Sequence, residues 1–211
     1  RQVGDVRELV ANPVVVCSGF QSSGPGQEKR NTDPAGKGLP LIFIHGAMGD
    51  WRSWEAQWAA FTPHFDCISY SRRFSFPNQN HQPSPHHSAL DEAQDLEHLL
   101  NVLNIDTAIL VGSSYGGFTA LALAVKAQHR IKAVVAVEPP MMKYAYFTKE
   151  GREIADQFRA TTIEPANSAF RSGDDETAAR IMTGGINGAT SPVATGAAMQ
   201  KRLQNLQAMK M

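Results

Sequence analysis

Thr107 to Val125 reads TAILVGSSYGGFTALALAV, and the fold of the whole chain is decided there. Ala108 to Val111 is a short apolar run of strand length, and Phe118, Leu121, Ala122 and Val125 recur at helical spacing. Between them lies Gly112-Ser113-Ser114-Tyr115-Gly116-Gly117, a G-x-S-x-G pattern centred on Ser114. A nucleophile raised on a sharp strand-to-helix turn holds a strained backbone, so the residues two positions to either side must lack side chains. Gly112 and Gly116 stand at those positions, and Ser113 has no such neighbours. A helix starting just after Ser114 turns its free N–H groups and positive dipole end toward any negative charge formed there.

Upstream, Leu41-Ile42-Phe43-Ile44 is a continuous apolar run, as in a strand covered on both faces, and it ends in His45-Gly46-Ala47-Met48-Gly49-Asp50. Trp51, Trp54, Trp58 and Phe61 follow at helical spacing, which core packing of a helix on a sheet explains better than a ligand box. Phe65 to Tyr70 reads as a further strand. Strand, helix and strand with short links predict a parallel sheet with right-handed crossovers. Ser71 to Ser88 is polar and rich in Pro, Asn and His, and is expected to be an exposed loop. Its histidines, His81, His86 and His87, have no carboxylate or cysteine at ligand spacing, so no metal site is expected. Arg72 and Arg73 follow a strand end, where they would touch substrate or pair with surface acids.

Ser88 with Asp91 predicts a capped helix whose buried stripe is Leu90, Ala93, Leu96, Leu100 and Leu103, ended by Asn104. Ile131 to Val137 is the next strand, running into Glu138-Pro139-Pro140. Beyond it the composition changes to helical pieces around 151–160, 174–182 and 192–211, expected to form a cap over the site, with Ser191-Pro192 as a helix start. At the other end, Val14-Val15-Val16 is a candidate first strand, and Ser18 to Pro40 is loop chemistry without the complete pattern of a phosphate loop.

Hydrophobic residues are 42% of the 211 and charged residues 19%, with twenty basic and twenty acidic side chains in balance. This is a globular composition that argues against nucleic acid or an anionic membrane as the main partner. No apolar run reaches membrane-span length, and no leader pattern opens the chain. Cys17 and Cys67 lie in apolar strand-like surroundings and read as buried free thiols of a reducing, cytoplasmic compartment.

The stretches HGAMGDWRSW, SYSRR and GSSYGG resemble the oxyanion loop, the following strand end and the nucleophile elbow of the α/β-hydrolase superfamily, over about Leu39 to Pro140. The resemblance implies an α/β fold: a mostly parallel central sheet with helices on both faces, followed by a helical cap. The domains expected are residues 1–140 as the N-terminal part of the core, with 1–40 a poorly defined lead-in, and 141–211 as the cap. It implies Ser114 as nucleophile, the backbone N–H groups of Ala47 and Tyr115 as oxyanion hole, and His45 and Gly46 as structural parts of the loop. No cofactor and no metal are implied. Glu138, at a strand end, is either the acid of the triad or a residue lining the pocket.

The family's order is Ser, then acid, then His. The one histidine after Ser114 is His129, which precedes a strand and so belongs at the opposite edge of the sheet. The chain starts at Arg1, stops inside a helical pattern and has no strand after Val137, so a hydrolase lacking its C-terminal core strands is expected. Without its base, a serine of this kind loses on the order of 10⁶ in rate. The function expected of the full-length protein is serine hydrolysis of a small, partly apolar ester or similar activated carbonyl through an acyl-enzyme. Hydrolysis of a C–C bond, lactone or thioester, or haloperoxidase-like chemistry, is the alternative on the same fold, and a non-catalytic binding module is the alternative from another class.

Overall fold

The structure is a computed structural model and describes residues 16–17, 38–78, 86–188, 195–206 and 209. Its centre is a sheet in the order β1-β3-β2-β4-β5, made by Val16–Cys17 (β1), Pro40–Ile44 (β2), Asp66–Tyr70 (β3), Ala108–Ser113 (β4) and Ile131–Val137 (β5). β3, β2, β4 and β5 run parallel, and β1 pairs antiparallel with β3. The expected apolar runs are all strands, within a residue or two of their expected bounds. Of the candidate first strand, Val16 is in β1, and Val14 and Val15 lie outside the described residues.

Successive residues of a strand point to opposite faces, and β2 builds one core on each. Ile42 and Ile44 join Ile68, Tyr70 and Leu110 beneath Ala89–Val102 (α2) and Tyr115–Lys126 (α3). Leu41 and Phe43 face the other way, onto Trp54, Trp58 and Phe61 of Glu55–Phe61 (α1) and the 3-10 turn before it. Phe43 is the hub there, its ring centroid 4.9 Å from Trp54, 6.0 Å from Trp58 and 5.6 Å from Phe61. Trp54, Trp58 and Phe61 of the expected stripe are core packing; Trp51 is not part of that cluster. Cys67 carries a buried free thiol whose pKa burial pushes up to about 11, an inert state.

Two helix faces differ from expectation. α2 is capped as the sequence predicts, the Ser88 N–H donating to Asp91 Oδ2 at 2.8 Å, and Asn104 ends it with φ 54°. Its buried face, however, is Ala89, Ala93, Leu96, Leu99 and Leu100, while Leu90 is 63% exposed. The packing centre falls between adjacent ridges of the helix, so Ala89 takes the place assigned to Leu90. In α3 the buried residues are Gly116, Gly117, Thr119, Ala120 and Leu123, and Val125 is 89% exposed. The tight elbow sets the rotation of α3, because its glycines must face the strands.

Ser71 to Ser88 also departs from the exposed loop expected of it. Ser71, Arg72, Phe74 and Ser75 are buried, and so is the side chain of His87; residues 79–85, including His81, lie outside the described set. After β5 come Lys149–Phe158 (α4), a π-helical turn at Arg159–Ile163, Glu164–Arg171 (α5), Asp175–Asn187 (α6) and Gly196–Leu203 (α7). α5 was not foreseen, and the expected start at Ser191-Pro192 lies outside the described residues. No helix among the described residues is long and apolar enough to cross a membrane.

Candidate active site

Ser114 sits between the end of β4 and the first turn of α3 with φ 50° and ψ −122°, a conformation that favours glycine. Its surroundings hold it there. The Ser114 N–H donates to the Val137 carbonyl at 2.8 Å, and the Ser114 carbonyl accepts the Phe118 N–H at 3.1 Å. The two flanking glycines are required by contact: a Cβ on Gly112 would overlap the Gly116 carbonyl, and one on Gly116 would overlap the carbonyls of Ile44 and His45. The head of α3 therefore lies directly on the end of β2.

The loop after β2 closes a turn in which the Gly49 N–H donates to the Gly46 carbonyl at 3.2 Å, with Ala47 and Met48 at its centre. A Cβ on Gly46 would lie 3.3 Å from Ser114 Cβ and 3.9 Å from its Oγ, so the turn is in contact with the serine. The Ala47 N–H has no backbone partner among the described residues. The Tyr115 N–H, first in its helix, has no carbonyl four residues back to bond.

His45 is buried, and both of its ring nitrogens are occupied. The Arg72 N–H donates to Nε2 at 3.0 Å, which leaves the proton on Nδ1, 2.8 Å from the Gly46 carbonyl. Burial first, then the Arg72 charge, lowers its pKa to about 3. A neutral imidazole with no free nitrogen is a strut for the loop.

Arg72 carries most of the remaining contacts. Its Nη2 donates to the Gly46 carbonyl at 3.1 Å, its Nη1 to Glu92 Oε1 at 3.0 Å, and its guanidinium lies 4.9 Å over the Tyr115 ring. Glu92, buried on α2, also bonds His87 Nε2 at 3.1 Å. Burial opposes charge on Glu92, but Arg72 and His87 outweigh it and hold its carboxyl below the usual range. The partner of Arg72 is thus a buried acid, where substrate or surface acids were expected; Arg73 pairs with Asp95. No local signal marked this pair, because Glu92 stands among Asp91, Ala93, Gln94 and Asp95 and reads as part of a solvated helix face.

Glu138 follows the residue paired with Ser113, is exposed and has φ 47°. His129 belongs to a 3-10 turn that leads into β5. Because β4 and β5 are parallel and Ser113 pairs with Val137, His129 is at the far end, ~20 Å away at ~3.3 Å per strand residue. Among the described residues no histidine hydrogen-bonds Ser114, and no group of three or more His, Cys, Asp or Glu is placed to hold a metal.

A further set of contacts, not foreseen, comes from the C-terminal helices. Asn205 Nδ2 donates to Asp50 Oδ2 at 2.8 Å, its Oδ1 accepts the Phe76 N–H at 2.8 Å, and Arg52 Nη2 donates to Gln204 Oε1 at 3.0 Å. Met48 packs on the cluster of Ala179, Met199 and Leu206.

A model of the alpha/beta hydrolase fold family matches residues 40–207. The chain belongs to that family. The chain is similar to 2-hydroxymuconate semialdehyde hydrolase of Pseudomonas sp. (strain CF600), 31% identical over 113 residues, which are 51% of this chain and 38% of that protein. It is also similar to non-heme chloroperoxidase of Streptomyces lividans, 31% identical over 129 residues, 58% of this chain and 46% of that enzyme. The α/β-hydrolase chain here therefore spans less than half the length of those two relatives. Among solved structures, an alpha/beta hydrolase from Sphaerobacter thermophilus superposes with a TM-score of 0.62 at 15% identity, covering 95% of this chain and 67% of that one. Carboxylesterases of Nitrososphaera gargenis give 0.61 at 16% identity, over 93% and 62%. At such identities the likeness is one of fold.

Proposed function

We propose that this α/β-hydrolase acts on a small ester or similarly activated carbonyl, with Ser114 as nucleophile and an acyl-enzyme as intermediate. The observation that carries the reading is the strained φ of Ser114 at the head of α3, in contact with the Gly46 turn. Strain of this kind persists only where neighbours over-determine it, and it gathers at reactive positions. In the reaction, Ser114 Oγ attacks the carbonyl carbon and the oxygen takes up negative charge. The N–H groups of Ala47 and Tyr115 receive that charge, each such donor being worth ~10²–10³ in rate. The serine proton must go to a base, and His45, with both nitrogens engaged, is not that base. His129 is at the wrong end of the sheet. With no histidine bonded to Ser114 among the described residues, turnover is expected on the order of 10⁶ below that of a complete triad.

Glu138 lines the pocket in this reading, its exposed carboxylate at the strand end beside the elbow. The helices after β5 act as a cap, supported by Met48 and Asn205, which tie them to the turn next to Ser114. The partner is a small molecule reached beneath those helices.

Chemical rescue tests the nucleophile. A fluorophosphonate with added imidazole as external base is expected to label wild-type protein at Ser114, faster as imidazole rises. Ser114→Ala is expected to remove the label. A folded protein that takes no label at any imidazole concentration ends the reading and favours a non-catalytic binding module.

A further inference from the structure

We infer that Arg72 is a positioning residue that aims both donors of the oxyanion hole, by clamping the Gly46 carbonyl on one side and the Tyr115 ring on the other. The inference rests on the site proposed above but concerns a residue outside its chemistry. The Gly46 carbonyl accepts from three donors: His45 Nδ1 at 2.8 Å, Arg72 Nη2 at 3.1 Å and the Gly49 N–H at 3.2 Å. A peptide unit is planar and trans, so its C=O and the next residue's N–H point in opposite directions. Fixing the Gly46 oxygen therefore fixes the direction of the Ala47 N–H. Donors on a carbonyl also polarise its amide and strengthen the N–H as a donor.

Two of those three anchors depend on Arg72. Its Nη2 is one, and its backbone N–H holds the His45 ring in the tautomer and orientation that make the other. The same guanidinium lies 4.9 Å over the ring of Tyr115, whose N–H is the second donor. One buried side chain thus touches both halves of a site built from strands β2 and β4, which are separated by more than sixty residues of sequence. Glu92 sets the fork: it accepts Nη1 at 3.0 Å, and His87 in turn holds Glu92 at 3.1 Å. A lysine in this place would carry the charge but lack the planar fork, reaching Glu92 or Gly46 but not both. Because Glu92 neutralises the guanidinium nearby, the contribution of Arg72 is geometric more than one of charge.

Two variants test this. Arg72→Lys keeps the charge, and Arg72→Met with Glu92→Leu replaces the buried pair by apolar groups, which avoids a lone buried charge. In the labelling reaction at fixed imidazole, both are expected to lower the maximal rate at saturating fluorophosphonate about 10- to 100-fold, with the half-saturating concentration within twofold. The Gly46 carbonyl carbon and the Ala47 and Tyr115 amide signals are expected to shift in both. If the double variant does not fold, Arg72→Lys decides. A folded variant with unchanged maximal rate and unchanged Ala47 and Tyr115 signals overturns the inference. Failure of wild type to label would refute the proposed reaction alone; the carbonyl and amide signals would still decide for or against the clamp.

Discussion

The backbone N–H of Arg72 donates to Nε2 of His45 at 3.0 Å, and this single bond fixes the protonation of a fully enclosed imidazole. The ring is held neutral, its pKa lowered by burial and by the Arg72 charge to about 3. The unfolded chain, with an ordinary histidine near 6.5, binds the extra proton over the whole interval between the two values. The stability that His45 contributes is thus present above pH 6.5 and is lost as pH falls toward 3, by about 1.4 kcal/mol per pH unit. Denaturant titrations from pH 7 to pH 4 are expected to show this slope and His45→Gln to flatten it. A ring nitrogen signal from His45 that titrates near pH 6.5 would contradict the enclosure.

Ser114 holds φ 50° and ψ −122°, a region that costs a non-glycine residue ~1–3 kcal/mol. Ser114→Gly is expected to raise the thermal midpoint, as relief of about 1 kcal/mol or more, while removing fluorophosphonate labelling. A lower midpoint would mean that the serine side chain supports the fold, and the strain argument would fall with it.

The glycines separate in the same way. Gly116→Ala would drive a methyl into the Ile44 and His45 carbonyls, and neither backbone can move without disturbing β2. A cost of about 3 kcal/mol or more is expected in urea unfolding, at the upper end for overpacking. Gly184, inside α6, meets nothing within 4 Å of a Cβ, so Gly184→Ala is expected to stabilise by ~0.5–1 kcal/mol.

What could be read from the sequence was local. The elbow is legible because a nucleophile turn imposes glycines at fixed offsets from Ser114, and the strands are legible because β2, β3, β4 and β5 are apolar runs of the right length. Periodicity marks an apolar arc but not which ridge the sheet accepts, so the rotation of α2 and α3 differs from expectation: Leu90 lies at the edge of the arc read for α2, and Val125 lies on the side of α3 opposite the buried Gly116, Ala120 and Leu123. The Arg72–Glu92 pair was missed for a different reason. Charges on a helix and after a strand read as solvated, and nothing local shows that twenty residues of chain bring them together in the interior. Asn205 lies still further along the chain from Asp50, 155 positions away.

That last contact gives a test of how the C-terminal helices are held. Asn205 is buried and uses both ends of its amide, Nδ2 on Asp50 Oδ2 and on the Lys201 carbonyl, Oδ1 on the Phe76 N–H. Burial opposes charge on Asp50, but its bonds from Arg52 and Asn205 prevail and hold the carboxyl below the usual range. Asn205→Ala leaves the half-buried Phe76 N–H without its partner, and a loss of about 1–3 kcal/mol is expected. Asn205→Asp places a second carboxylate against Asp50, and repulsion raises the new group above the unfolded value of about 3.9. Such a group contributes fully below the unfolded value, and its contribution is lost as pH rises through the folded one. Relative to wild type, Asn205→Asp is therefore expected to be least impaired near pH 4 and most impaired at pH 7. Limited proteolysis at pH 7 is expected to cut both variants first within residues 188–206. Cleavage that begins elsewhere, at an unchanged rate in that segment, would show that Asn205 does not hold these helices to the Asp50 loop.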